Sequence, residues 1–207
     1  KWLPAQEEPP KEEIDWDIWL GPCPWRPFNR RYVEGGWRGD YDFHTSCIGE
    51  WGAHTFAQAQ AGLEVDGMPP VKYEYVDNDS GDGMVCHFAN GQKMILSRGD
   101  KYWHGPCGER FDGERGWVGA ADGYSMPDAS SPELLDHVRN FLDCVKSREQ
   151  PVANAEVMHY SMLTVHAANI CMWLERDMTF DPVTEMFVND DEANRLRSRA
   201  QREPWVL

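Results

Sequence analysis

Basic residues are scarce in this sequence, because 20 Lys and Arg stand against 35 Asp and Glu and the formal net charge is −15. Proteins that bind nucleic acid need a basic surface against the phosphate backbone, and anionic membranes attract proteins in the same way. The charge therefore argues against nucleic acid, anionic membranes and polyanionic substrates as partners. A neutral or cationic small molecule fits this composition best.

Long apolar runs and paired cysteines are also missing. No run of about 18 apolar residues is present, so we predict no transmembrane helix. The six cysteines form no Cys-x-x-Cys pair, which excludes zinc-ribbon and thioredoxin-like sites. No G-x-G-x-x-G stretch follows a strand, so a dinucleotide-binding fingerprint is absent. We therefore predict no metal-binding and no cofactor-binding residues in these 207 residues.

The first residue is lysine rather than methionine, and this leads us to expect a longer protein of which these residues are the downstream part. Residues 1–13 are acidic and rich in proline, a composition typical of an extended connector. Residues 14–207 are expected to form one folded domain with a C-terminal tail.

The order of predicted elements indicates an α+β fold. Apolar spacing and turn residues predict helices over 15–20, 46–62, 130–147 and 155–175. Short strands are expected at 71–76, 84–88 and 93–97, with a further hairpin within 109–120. Because the strands are clustered rather than alternating with helices, we predict an open, mostly antiparallel sheet with helices packed on one face. The segment 26–42 is expected to be an ordered loop.

An acid and a histidine lie four residues apart in the stretch EWGAH, as Glu50 and His54. On a helix these two side chains share one face and can touch. A carboxylate that orients an imidazole could support proton transfer at a sugar hydroxyl near neutral pH. An ordinary core histidine can also obtain its hydrogen bond from a carboxylate at this spacing. Spacing alone does not distinguish the catalytic from the structural interpretation.

Three further polar residues are candidates for substrate contacts. His44 lies ten residues before His54 and is expected on the rim of the same site. Arg26 and Asn29 fall in the aromatic stretch PWRPFN, where they could bind substrate hydroxyls or fasten the loop to backbone carbonyls. The ten tryptophans leave a similar choice, because they are either core residues or surfaces on which sugars stack.

Five stretches of the sequence stand out as blocks: IDWDIWLGPCPWRPFN, IGEWGAHTFAQAQ, NFLDCVKSREQPVANAEV, HAANI and NDDEANRLRSRAQREPW. Together they resemble the C-terminal domain of Gfo/Idh/MocA-type oxidoreductases. The blocks cover nearly the whole chain in the expected order, and they are most similar to a bacterial branch of the family.

The resemblance implies a two-domain enzyme in which an N-terminal Rossmann domain, on the same or a separate chain, binds NAD or NADP. The present domain would then supply the site for a small carbohydrate and the contact for a homo-oligomer. The acid-x-x-x-His motif of the family falls on Glu50 and His54, and the histidine is expected to handle the substrate's proton. The family usually has aspartate at the first position, so Glu50 is a departure.

The expected activity is NAD(P)-dependent oxidation of a sugar or polyol, with 14–207 as the substrate-binding domain. One alternative is a relative that oxidises a glycoside before elimination or hydration, with internal return of the hydride. Another is a non-catalytic sugar-binding or assembly module. The compartment, cytoplasm or periplasm, stays open at this point, although an exported branch of the family is suspected.

Overall fold

The computed structural model describes residues 2–77, 83–96, 108–121, 124–125 and 134–206. The helices in these ranges are α1 Trp16–Leu20, α2 Arg30–Val33, a 3₁₀ helix Gly36–Gly39, α3 Ser46–Glu50, α4 Gly52–Gly62, α5 Leu134–Ser147, α6 Ala155–Leu174 and α7 Asp191–Arg195. The strands are β1 Lys72–Val76, β2 Gly83–His87, β3 Lys93–Leu96, β4 Gly108–Gly113, β5 Gly116–Ala121, β6 Tyr124–Ser125, β7 Met178–Asp181 and β8 Met186–Phe187. The α+β class is confirmed.

Within the described ranges, the strands form two antiparallel sheets. The larger has the order β3-β2-β1-β7-β8, and the smaller has the order β4-β5-β6. Strands β1 to β3 and the β4–β5 hairpin lie where the sequence predicts them. Strands β7 and β8 were not predicted, because β7 joins the sheet by pairing with β1 about a hundred residues earlier in the chain, with Lys72 opposite Thr179.

One face of the larger sheet packs against α6, and the buried residues between them are called the sheet core here. Alternate residues of β1, β2 and β7 point into it, as the two-residue period of a strand requires. These inward residues are Tyr73, Met84, Cys86, Met178 and Phe180. Helix α6 adds Val165, Ala168 and Cys171, which are fully or almost fully buried. The predicted placement of helices on one face of the sheet is therefore confirmed for α6.

The helix predicted over 46–62 is interrupted at Trp51, which separates α3 from α4. Its predicted end at Gly62 is confirmed. A side chain at Gly62 would place its Cβ 2.4 Å from the tip of the Phe111 ring of β4. Glycine therefore lets this ring pack closely against the end of α4, and a left-handed backbone follows two residues later at Glu64.

A second core, called the aromatic core here, lies in the N-terminal third of the chain. Its buried members are Trp16, Leu20, Phe28 and Tyr32. The helical turn predicted over 15–20 is confirmed as α1, and Asp15 caps it by accepting from the backbone N–H of Ile18. The segment 26–42, predicted as a loop, contains α2 and the 3₁₀ helix, whose four-residue lengths leave no apolar period to detect.

Both chain ends lie against the aromatic core. The Leu3 N–H donates to the Tyr32 hydroxyl at 2.8 Å, and the Gln6 N–H donates to the Phe28 carbonyl at 2.9 Å. In the tail, the Arg202 guanidinium donates to the carbonyls of Cys23 and Asp17 at 3.0 and 2.8 Å. None of the helices within the described ranges is long and apolar enough to cross a membrane.

Candidate functional site

The start of α3 is held in place by α6. Ser46 has a left-handed backbone (φ 68°), which is strained for a residue other than glycine. Its hydroxyl donates to Asn169 Oδ1 at 2.7 Å, and the Asn169 amide donates in turn to the Thr45 carbonyl. A Cβ at Gly49 would lie 1.8 Å from Thr45 Oγ1, so glycine is needed there. These contacts fix the position of Glu50 at the end of α3.

Glu50 lies between a histidine and an arginine. Its Oε2 is 3.2 Å from His44 Nε2, and its Oε1 is 3.7 Å from Arg38 Nε. The His44 side chain is 10% exposed, whereas the Glu50 side chain is 37% exposed. The carboxylate is therefore accessible at the surface while the imidazole beside it is largely enclosed.

The His44 ring has one defined tautomer. Its Nδ1 lies 2.6 Å from the Arg38 carbonyl, and because a carbonyl only accepts, Nδ1 carries the proton. The other nitrogen, Nε2, faces the Glu50 carboxylate in ion-pair range, although the geometry is not that of a hydrogen bond.

His54 lies in the first turn of α4 and is exposed. Its ring lies 6.1 Å from the Trp51 ring, with an angle of 37° between the planes. Among the contacts between described residues, Glu50 meets Arg38 and His44 rather than His54. His54 is nevertheless not sealed in the core.

Arg26 and Asn29 are buried and make structural contacts. The Arg26 guanidinium has no exposed surface and binds Asp40 at 2.6 Å and Asp42. The Asn29 amide donates to the Pro4 carbonyl at 2.7 Å, and its oxygen caps α2 through the Arg31 N–H. These placements agree with the alternative in which the two residues fasten the loop. Direct contact between either residue and a substrate remains an untested prediction that their burial disfavours.

Three residues near His44 were not predicted. The Trp37 ring lies edge-on to the His44 ring at 5.2 Å, and the Arg38 guanidinium lies over Trp37 at 4.6 Å. Arg199, 155 residues later, donates to the His44 carbonyl at 3.0 Å. Only a Trp-Arg pair among glycines in GGWRGD hints at the first two, and no sequence signal connects Arg199 with His44.

Helix α6 adds one further histidine near Arg199. Partial burial and, secondarily, the positive charge of Arg199 lower the pKa of His166 below its usual value. His166 lines a cavity of about 310 Å³ together with Tyr41, Trp173 and Arg199. Arg199 thus places a positive charge near both His44 and His166.

The described residues do not form a metal site or a dinucleotide site. In that part of the chain, no group of three His, Cys, Asp or Glu side chains is placed to hold a metal ion. No glycine-rich loop of the G-x-G-x-x-G type occurs in the 207 residues to cradle a pyrophosphate at a helix N-terminus. The part of the chain that the structure describes therefore provides no such cradle for a nicotinamide dinucleotide.

Comparison with known families gives one match, to the oxidoreductase family, C-terminal alpha/beta domain, of the Gfo/Idh/MocA group. The match covers residues 2–207. A comparison with curated proteins finds no match. Since the family match extends over almost the whole chain and the antiparallel α+β architecture agrees with it, the chain belongs to the Gfo/Idh/MocA oxidoreductase family as its C-terminal alpha/beta domain.

Proposed function

We propose that this domain binds a sugar, polyol or glycoside for an NAD(P)-dependent oxidoreductase, and that His54 exchanges the proton of the reacting hydroxyl. The observation that carries the proposal is the position of His54. It is exposed at the start of α4, four residues after a carboxylate that already contacts a histidine and an arginine. The acid-x-x-x-His motif of the family falls on the same two residues.

The roles of the surrounding residues follow from their contacts. His54 removes the hydroxyl proton in the oxidation direction and returns it in the reduction direction. Glu50 supplies the negative charge of the site and acts through its contacts with His44 and Arg38. His44 is largely enclosed and supports this carboxylate from the inner side. NAD or NADP, held by a nucleotide-binding domain on the same or another chain, supplies the hydride acceptor.

The test uses the complete protein, with its nucleotide-binding domain present. The variant His54→Asn keeps a polar side chain of similar size but cannot act as an acid or base. Loss of a positioned general acid or base typically costs about 10²–10⁴-fold in rate, so kcat should fall by that amount. The variant Glu50→Gln should have a milder effect, because it removes a charge that acts through His44. Steady-state reduction of NAD and NADP with a panel of sugars and polyols provides both measurements.

A matched control is available in His159, which is also exposed on a helix and pairs with Glu185 at 2.7 Å. His159→Asn should leave kcat unchanged. An undiminished kcat in His54→Asn would contradict the assignment of His54. Binding of a sugar with no nicotinamide reduction by the complete wild-type protein would instead favour the non-catalytic module.

We also infer that the outer face of the larger sheet is the contact of a homo-oligomer. Glu74, Val85 and Ile95 are directly opposite one another in neighbouring strands of that face. Ile95 is 63% exposed there. An antiparallel sheet with one covered face and an open face containing apolar residues is suited to pairing with a second sheet. Sedimentation of the complete protein should give a dimer or larger species, and Ile95→Lys should shift it towards the monomer.

A further inference from the structure

A cavity of about 550 Å³ opens between α1, the 3₁₀ helix and the C-terminal tail. Trp19, Trp37 and Phe43 supply aromatic walls, and Asp42 and Arg199 supply charged groups of opposite sign. Small-molecule sites typically have volumes of about 300–1,000 Å³, with apolar walls and a few polar groups. The cavity therefore has the size and the composition of a ligand site.

The aromatic walls are held in place before any ligand binds. The Trp19 ring stacks on Trp16 at 4.8 Å and meets Phe43 edge-on at 5.0 Å. The Trp37 ring is flanked by Arg38 and His44. Rigid walls reduce the entropy lost on binding, since these rings do not need to be ordered by the ligand.

The polar groups are also positioned by the fold. The buried Arg26 guanidinium binds Oδ2 of Asp42, and among the contacts of the described residues Oδ1 is left to accept a further hydrogen bond. Arg199 lies over the Tyr41 ring at 5.1 Å and uses one nitrogen for the His44 carbonyl, so other donors of its guanidinium remain for a ligand. One fixed acceptor and one fixed donor beside aromatic faces match a neutral sugar ring, which combines apolar faces with hydroxyls.

Two residues connect the cavity with the proposed catalytic surface. Trp37 lines the cavity and contacts His44, whose Nε2 is 3.2 Å from Glu50. Arg199 lines the cavity and binds the His44 backbone. A ligand that contacts Trp37 and Arg199 therefore lies against residues that hold His44, the neighbour of Glu50.

We propose that this cavity is a subsite for the second ring of a glycoside, either a further sugar or an aromatic aglycone, so that the preferred substrate is a glycoside rather than a free monosaccharide. This inference rests on the proposed function, because it places the reacting ring beside Glu50 and His54. The second ring would stack on Trp19 or Trp37 and hydrogen-bond with Asp42 and Arg199.

The test fills the cavity without disturbing either core. Ala200 is exposed and lines the cavity, so Ala200→Trp should occupy the space with an added ring. Ser198→Trp is the matched control, because Ser198 is exposed on the same tail and does not line the cavity. The probes are D-glucose and D-galactose, each as the free sugar and as the phenyl α- and β-glycosides, titrated calorimetrically into the complete protein.

Wild type should bind at least one phenyl glycoside about tenfold more tightly than the free sugar, the size expected for one aromatic contact. Ala200→Trp should lose this preference while its affinity for the free sugar stays within about twofold, a change of under half a kcal/mol. Ser198→Trp should behave as wild type. The subsite is overturned if wild type shows no preference for a glycoside, or if Ala200→Trp retains it.

The same titrations, followed by turnover assays, separate the two proposals. Oxidation of free sugars without any preference for glycosides would overturn the subsite and leave the proposed function standing. Tight glycoside binding that Ala200→Trp abolishes, without nicotinamide reduction, would support the subsite and overturn the proposed function.

Discussion

The sheet core is packed mainly with aliphatic, methionine, cysteine and phenylalanine side chains, whereas the aromatic core is organised around a guanidinium. In the sheet core, Tyr73, Met84 and Cys86 have no exposed surface. In the aromatic core, the buried Arg26 lies 4.4 Å from the Phe43 ring and 5.6 Å from the Tyr32 ring and binds two carboxylates. Buried apolar area therefore stabilises the sheet core, whereas paired charges contribute strongly to the stability of the aromatic core.

The difference has a chemical reason. Burial by itself opposes the charge on Arg26, but Asp40, Tyr32 and Asp42 more than compensate, so the pKa of the guanidinium is raised. A planar guanidinium can bind two carboxylates and face aromatic rings simultaneously, which an ammonium group does not do. Short helices in the segment 26–42 bury little apolar area, so this charge network fixes the walls of the proposed sugar cavity.

The largest predicted effect comes from breaking the charge network. Arg26→Met would leave Asp40 and Asp42 without their partner inside the protein, and such a loss costs about 3–5 kcal/mol. Urea unfolding followed by tryptophan fluorescence measures the free energy of unfolding. Arg30→Met is the control, because Arg30 pairs with Glu13 on the surface, where an ion pair contributes about 0–1 kcal/mol. A loss below about 1 kcal/mol for Arg26→Met would show that the network is not structural.

Truncation of a side chain in the sheet core should lower the free energy of unfolding slightly less than Arg26→Met does. Met84 has no exposed surface beneath the sheet, and replacing a buried methionine by alanine costs about 2–5 kcal/mol. Met84→Leu keeps the volume, so it should cost less than about 1.5 kcal/mol in the same unfolding assay. If the leucine variant were as unstable as the alanine variant, shape rather than apolar volume would dominate this core.

Asn169 connects the two regions, because it lies on α6 and binds the start of α3. Asn169→Ala should cost about 1–3 kcal/mol, since the Thr45 carbonyl and the Ser46 hydroxyl lose their partner. In this variant, amide hydrogen exchange should accelerate more in α3 than in α6, relative to wild type. Equal changes in both helices would mean that Asn169 supports the whole core and does not specifically anchor the site.

The smallest predicted effect concerns pH. The hydrogen bond from Arg176 lowers the pKa of Asp190, which also caps α7. Because the folded pKa lies below the unfolded one, the carboxylate stabilises the fold above the unfolded pKa, and this contribution is lost as pH falls through the folded pKa. Asp190→Asn keeps the cap but removes the charge, so it should destabilise by at most about 1 kcal/mol at pH 7.

Urea unfolding of wild type and Asp190→Asn at pH 7, 4 and 2 measures this contribution. The difference in the free energy of unfolding between wild type and Asp190→Asn should become smaller as the pH falls. A difference that is the same at all three pH values would contradict the assignment to ionisation of Asp190.

The elements that sequence predicts well here are those whose information is local. Helix α6 follows from apolar spacing, α1 from its Asp15 cap, and β1 to β3 from alternating residues between turns. Helix α5 also follows from apolar spacing, but Val138, Phe141, Leu142 and Val145 are each about half exposed, so spacing predicts the helix and not its burial. The β7–β8 strands were not predicted, because β7 is placed by its pairing with β1 about a hundred residues earlier, whereas β3, which is equally short, pairs with the strand directly before it.

The candidate site also contains features that the local sequence predicts and features that it does not. The motif predicts Glu50 and His54 as neighbours along the chain, but the partner of Glu50 depends on how α3, the 3₁₀ helix and the tail meet. His44, Arg38 and Arg199 come together from separate segments. Sequence spacing describes contacts within one helix, whereas these contacts of Glu50 reach residues that precede α3.

By itself, the sequence determined the α+β class, the main helices, the acidic character that favours a neutral or cationic ligand, and the family resemblance that the match over residues 2–207 then confirmed. Only the tertiary structure decided that Arg26 and Asn29 are buried, that Glu50 meets His44, and that Trp19, Trp37 and Arg199 line one cavity. The physical reason is the range of the interactions. Periodicity, caps and charge are properties of neighbouring residues, whereas a cavity is bounded by side chains that the chain brings together only after its cores have packed.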